Sequence, residues 1–291
     1  MTRFRQPVGV LVGVLLLSCG PDLQSGKTSD GLYYEVSGRG EPVILVHGFS
    51  LDRRMWDAQE TLLKSDFRVI RYDLRGHGLS DEWTEPFSAH TDMLSVFDAV
   101  DLPEAVVVGL SAGAEIAIDF AIAHPDRVSA LVLASPGVRG YQPVGSFDWM
   151  TPVIEALQER EYEQATRAWT ETPIMRIRSD PQADSIMRAI VMDNWRIWTY
   201  DPQLQQMPRP PALERLNEIS APTLIIVGEL DLVDTQRVSD TLSVCLPNAA
   251  LLTAPESGHL INLEAPVFFN EALFSFLETM HVTESEMASS C

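Results

Sequence analysis

The stretch from Ala105 to His124 constrains this chain more than any other. Ala105-Val106-Val107-Val108 is a short, wholly apolar run, as a strand covered on both faces requires. Ala112 to His124 is a helical stretch, and Gly109-Leu110-Ser111-Ala112-Gly113 joins the two. A strand that turns into a helix so abruptly tolerates only small residues where the two pack, and Gly109 and Gly113 supply that room. The turn lifts the Ser111 hydroxyl above the sheet edge. The same alternation fills most of the chain. Val43–Val46, Phe67–Tyr72, Val128–Ala134, Thr223–Val227 and Ala249–Thr253 are strand-like, whereas Trp56–Lys64, Thr91–Val100, Arg237–Cys245 and Pro266–Met280 are helical. This implies an α/β architecture: a mainly parallel, doubly wound sheet with helices on both faces. The 291 residues suffice for one such domain with a large core.

One stretch breaks the rhythm. Residues 137–211 contain no strand-like run, only helical pieces near Asp148–Gln158, Glu161–Thr172 and Pro181–Trp198. They hold four of the six tryptophans and five of the ten methionines, which suits an inserted helical cap over an apolar, adaptable pocket. Most of these side chains are expected to fasten the cap to the core and a few to line the pocket. The core then comprises residues 31–136 and 212–281, with 282–291 as a polar tail. The net charge of −20 and only two lysines, Lys27 and Lys64, argue against nucleic acid as a partner, because phosphate binding needs clustered Lys and Arg.

A serine hydroxyl is a weak nucleophile until a base takes its proton. On a turn of this kind the partners follow in the order serine, acid, histidine. Of the six histidines only His124, His259 and His281 follow Ser111. His124 ends the helix beside Pro125 and His281 lies near the tail. His259, in Ser257-Gly258-His259, comes just after the last strand, where a base belongs. The acid is expected in Gly228-Glu229-Leu230-Asp231-Leu232-Val233-Asp234. Asp231 falls where strand gives way to loop, Asp234 is placed to cap the next helix, and Glu229 ranks third. Asp231 would hold the imidazole in one tautomer and stabilise the imidazolium. The backbone N–H of Ala112 is one expected donor to the oxyanion.

Taken together these segments resemble the α/β-hydrolase superfamily. Further matches are His47-Gly48-Phe49, Trp56 in Met55-Trp56-Asp57, the run Asp73-Leu74-Arg75-Gly76-His77-Gly78-Leu79-Ser80, and Gly258-His259-Leu260-Ile261-Asn262-Leu263-Glu264. The resemblance spans about Leu32 to Thr279. Ala114 departs from it, since many relatives carry Gly there. It implies that Phe49 gives the second oxyanion amide and that His47, Asp73 and His77 are structural. It further implies a serine hydrolase that cleaves a carboxylic ester or lactone, nearest the esterase, enol-lactonase and haloperoxidase-like branches, with neither metal nor organic cofactor. The partner would be a small acyl substrate with an apolar part. Because Ser occupies position 111, relatives with an Asp nucleophile, such as dehalogenases and epoxide hydrolases, fit poorly. A C–C hydrolase, a perhydrolase or an acyltransferase would keep the same three residues. A non-catalytic ligand-binding protein is the alternative of another class.

The N-terminus adds an address. Arg3 and Arg5 precede an apolar run from Val8 to Leu17, ~10 residues and too short to span a bilayer. Residues 1–18 therefore read as a signal peptide. Leu16-Leu17-Ser18-Cys19 resembles a bacterial lipobox, which implies cleavage before Cys19 and lipidation of that residue. The expectation is an exported, membrane-anchored lipoprotein with residues 19–30 as a tether. Gly20, which is not Asp, points to outer-membrane sorting. Cys245 and Cys291 could pair in an exported chain, but a buried thiol and a terminal thiol describe them more simply.

Overall fold

The computed structural model describes the backbone of residues 23–289 and the side chains of residues 23–280. The expected Cys19 lipidation and signal peptide, and Cys291, lie outside the described residues. Eight strands form one sheet: β1 Gln24–Lys27, β2 Tyr33–Ser37, β3 Pro42–Val46, β4 Arg68–Tyr72, β5 Ala105–Leu110, β6 Val128–Ala134, β7 Thr223–Gly228 and β8 Ala249–Ala254. Their order is β1-β2-β4-β3-β5-β6-β7-β8. The pairs β1–β2 and β2–β4 are antiparallel. From β4 to β8 every pairing is parallel.

Alternation along the central strands produces two cores. Ile44, Val46, Ile70 and Val107 face α2 (Ala89–Ala99), α3 (Ala112–Ala123) and α7 (Val233–Cys245). Val43, Leu45, Val69, Val106 and Val108 face α1 (Asp57–Leu63) and α9 (Pro266–Ser289) on the other side. Strands buried on both faces must be apolar throughout, and for that reason these strands appear in the sequence as continuous runs. The chain winds outward from β3 to β4, then returns to place β5 on the other side of β3. The strand order therefore reverses between β3 and β5, and ligand crevices in open α/β sheets form outside the carboxyl ends of strands at such a point.

Three regions differ from the sequence reading. Residues 24–27, assigned to the tether, form edge strand β1, and β2 follows it. β1 pairs through its backbone and keeps its side chains largely exposed, so Gln-Ser-Gly-Lys carries no apolar signature. Residues 282–289, read as part of a polar tail, continue α9. The helix expected over Pro181–Trp198 stops at Asp193 and gives way to a 3-10 turn over Trp195–Thr199.

Between β6 and β7 lie α4 (Thr151–Gln158), α5 (Tyr162–Thr170) and α6 (Pro181–Asp193). Val153, Ala165, Trp169, Met175, Met187 and Ile190 are buried in the core shared with α1 and α9. Polar bonds fasten the cap at defined points. Trp169 Nε1 donates to Ser50 Oγ at 2.7 Å. Asn194 accepts from the Gly78 N–H at 2.7 Å and donates to Asp52 Oδ2 at 2.9 Å.

Candidate active site

Ser111 stands between β5 and α3 with φ 56° and ψ −114°. A non-glycine residue here costs on the order of 1–3 kcal/mol and persists only where its surroundings dictate it. The surroundings do so. The Ser111 N–H donates to the Ala134 carbonyl at 2.9 Å. A Cβ at Gly109 would lie 2.4 Å from the Gly113 carbonyl oxygen, and one at Gly113 would lie 2.3 Å from that of Val46. Both contacts are with backbone that cannot yield, so the two glycines fix how closely strand and helix approach.

Asp231 and His259 come from the loops after β7 and β8. His259 Nδ1 lies 3.0 Å from each carboxylate oxygen of Asp231. The Leu232 N–H donates to Asp231 Oδ1 at 2.7 Å and orients that carboxylate. With Nδ1 bonded to a carboxylate, the proton resides there and Nε2 presents its lone pair. That Nε2 is buried and takes no hydrogen bond among the described residues, Ser111 Oγ included. His259 and Ser111 line one cavity of about 330 Å³, together with Ser135 and the cap residues Phe147, Trp149 and Ile174. Of the four cap tryptophans, Trp149 lines the cavity, Trp169 is buried in the core and Trp198 packs against it, whereas Trp195 is exposed.

Two amides border the serine. Ala112 is the first residue of α3, so its N–H has no partner within the helix and points with the positive end of the helix dipole. Phe49 follows β3, the strand adjacent to β5, and its N–H takes no acceptor among the described residues. The loop under Phe49 is fixed by His47. The ring bonds the Gly48 carbonyl through Nδ1 at 2.9 Å and accepts from the Leu74 N–H at Nε2 at 2.8 Å. Burial lowers the His47 pKa to about 4, which keeps the ring neutral in this role. The Phe49 ring meets Trp169 and Trp198 edge-on at 5.8 and 5.4 Å, tying this loop to the cap.

The other candidates have different positions. Asp73 is fully buried, accepts from the Arg53 and Leu79 amides and pairs with the Arg53 guanidinium at 2.9 Å, a structural clamp. Asp234, expected as a helix cap, instead gathers the loop over residues 141–145. It accepts from Tyr141 Oη and from the Val144 and Gly145 amides at 2.9–3.0 Å. The cap position itself is occupied by Leu232. Glu229 accepts from the Glu256 amide. His124 ends α3, and His281 falls within α9. Cys245 is exposed and free rather than buried. Among the described residues no group of His, Cys, Asp and Glu is arranged to hold a metal ion.

Sequence reasoning overlooked Glu264. Its buried carboxylate accepts from the Gly258 N–H at 2.7 Å and the Arg178 N–H at 3.0 Å, and pairs with the Arg178 guanidinium at 3.2 Å. One side chain thus links the histidine loop to the cap. The signal was present in the segment after His259, but nothing local distinguishes this carboxylate from a surface Glu.

Comparison with known proteins fits this geometry. Residues 43–272 match the family model described as the alpha/beta hydrolase family. The chain belongs to that family. It is therefore read as an enzyme, a hydrolase with esterase-named and hydrolase-named relatives. RutD of Caulobacter vibrioides, provisionally named a carbamate hydrolase, is 30% identical over 267 residues, covering 86% of this chain and 97% of that protein. The pimeloyl-[acyl-carrier protein] methyl ester esterase of Nitrosomonas europaea is 27% identical, covering 82% and 96%. Among solved structures, a thermophilic esterase from Thermogutta terrifontis superposes with a TM-score of 0.74 at 27% identity, covering 89% of this hydrolase and 99% of that chain.

Proposed function

We propose that this hydrolase cleaves a carboxylic ester or lactone through an acyl-enzyme on Ser111. The observation that carries the reading is the Asp231–His259 pair, with its unpartnered Nε2, in the same cavity as a serine held at positive φ. Ser111 Oγ attacks the carbonyl carbon while His259 Nε2 takes its proton. Asp231 holds the ring and stabilises the imidazolium. The Phe49 and Ala112 amides receive the developing oxyanion; losing one such donor costs ~2.7–4 kcal/mol in comparable enzymes. His259 returns the proton to the leaving oxygen, and water then releases the acyl group by the reverse steps. Esterase-named relatives support an ester, and the mostly apolar cavity walls support an acyl part of modest size. Carbamate cleavage, suggested by the name of RutD, would use the same attack with nitrogen departing.

Hydrolysis of p-nitrophenyl esters from acetate to palmitate tests the reading, using residues 20–291 beside Ser111→Ala and a carbamate control. Wild-type turnover peaking at one chain length and abolished in Ser111→Ala is expected. Activity that survives Ser111→Ala would overturn the assignment. Faster turnover of the carbamate would move the substrate class.

We further propose that the protein is exported and anchored through lipid on Cys19. Intact mass should show an N-terminal diacylglyceryl cysteine that is lost in Cys19→Ala; an unmodified N-terminus would contradict it. Among the described residues no helix is long and apolar enough to cross a membrane.

A further inference from the structure

Two walls of the cavity that holds Ser111 and His259 differ in how they are held. One is the start of α7, where Val233, Thr235 and Val238 line it. Thr235 and Val238 are buried, so this wall belongs to the core. The other is the loop that leads from β6 into the cap, where Tyr141, Pro143, Gly145 and Phe147 line the cavity. Beyond Tyr141 this loop has little core of its own: Val144 is 59% and Phe147 51% exposed. A segment with so few buried apolar contacts opens at small cost unless polar bonds hold it.

One carboxylate supplies those bonds. Asp234 Oδ1 accepts from Tyr141 Oη at 3.0 Å and from the Val144 N–H at 2.9 Å, and Oδ2 accepts from the Gly145 N–H at 3.0 Å. Among the described residues no other hydrogen bond reaches residues 142–147 from an element distant in sequence. Loop and helix are in contact there, since a Cβ at Gly145 would come within 2.8 Å of Asp234 Oδ2 and 3.1 Å of the Val233 side chain. The Val144 and Gly145 amides hold the Asp234 carboxyl below its usual range. It is therefore ionised near neutral pH, and its bonds are of the stronger, charge-assisted kind.

Asp234 follows Asp231 by three residues, but the two carboxylates serve different partners. Asp231 bonds His259 and the Leu232 N–H, whereas Asp234 bonds only the facing loop. The wall is thus fastened from the same segment that positions the base, without sharing a hydrogen bond with it.

We propose that Asp234 sets the length of acyl chain this hydrolase accepts, by clamping the loop over residues 141–147 against α7. This deepens the acyl-enzyme reading and rests on it: the chain would run from Ser111 along the wall that Asp234 closes, and the favoured substrates are esters or lactones of short chain. Asp234 is a positioning residue, acting through Gly145 and Phe147, and takes no part in bond making. Without the clamp the exposed loop swings outward and a longer chain enters.

The test compares kcat/KM for p-nitrophenyl butyrate and octanoate in wild type, Asp234→Ala and Asp234→Asn. The octanoate-to-butyrate ratio should rise about tenfold in Asp234→Ala, the lower end of what a methylene that fits or fails to fit a pocket is worth. Asp234→Asn keeps one acceptor oxygen for Tyr141 and Val144 and loses the acceptor for Gly145, so its ratio should lie between the other two. A variant that hydrolyses both esters more slowly at the wild-type ratio would show a merely structural role and overturn the proposal. If Asp234→Ala fails to fold, Tyr141→Phe removes one of the three bonds and should raise the ratio about threefold; an unchanged ratio there would equally overturn it. If no ester is hydrolysed and Ser111 reacts with no fluorophosphonate, the acyl-enzyme reading fails. Calorimetric titration with n-butanol and n-octanol then decides the clamp. Asp234→Ala should favour octanol over butanol about tenfold more than wild type does, and an unchanged preference would overturn the proposal.

Discussion

Two histidines outside the proposed chemistry are as constrained as the one within it. His47 and His77 are buried, their ring centroids 5.2 Å apart. Burial lowers the first to about 4 and the second to about 3, where the neighbouring His47 adds to the effect. Both folded-state values lie below the unfolded value near 6.5. Above pH 6.5 both rings are neutral folded or unfolded, and they make stability independent of pH. Below it the unfolded chain takes up protons that the folded chain refuses, so stability falls with falling pH. The loss is ~1.4 kcal/mol per pH unit per ring, down to about pH 4 for His47 and about pH 3 for His77. Urea unfolding of wild type between pH 4 and 6.5 should show this slope, and His77→Gln should remove about one proton from it. An unchanged slope in His77→Gln would show that the ring does not stay neutral.

At the scale of elements, each proposed catalytic group sits at the carboxyl end of a parallel strand, and this is why so much of the site was legible. The turn after β5, the loop after β7 and the loop after β8 each carry a local signal: small residues around Ser111, an acid just past an apolar run, a histidine after the last strand. What local pattern cannot carry is partnership between distant segments. β1 escaped because an edge strand of polar residues has no apolar period. Asp234 was misjudged because its partners lie some 90 residues away in the loop over 141–145. Glu264 escaped for the same reason, since Arg178 and Gly258 meet it only in the folded molecule. Glu264→Ala would strand the Gly258 and Arg178 amides and leave a partly exposed guanidinium unpaired, and a buried donor left without its acceptor typically costs ~1–3 kcal/mol. The expected result is a melting temperature lowered by several degrees together with a reduced kcat, since the His259 loop and the cap are released as one. Loss of stability with kcat intact would separate this clamp from the site.

At the scale of the whole molecule, the reversal of strand order between β3 and β5 creates the crevice, and the cap between β6 and β7 roofs it. β3 delivers Phe49, β5 delivers Ser111 and Ala112, and the cap delivers Trp149. β3, β5 and β7, which lead into Phe49, Ser111 and Asp231, are buried along almost their whole length, so this part of the geometry is inherited from the core, whereas β8, which leads to His259, is partly exposed. If Cys19 is lipidated, only Gly20 to Leu23 separate it from β1, a reach of at most ~18 Å. The domain would then ride close against the membrane that holds it.

The central claim is that Ser111 is the nucleophile and that His259 activates it. Reaction with a fluorophosphonate, followed by peptide mass mapping, tests it most directly in wild type and His259→Ala. The account predicts one equivalent of label on the peptide carrying Ser111 in wild type and labelling slowed by several orders of magnitude in His259→Ala. Label on another residue, or equal labelling of the two proteins, would contradict it.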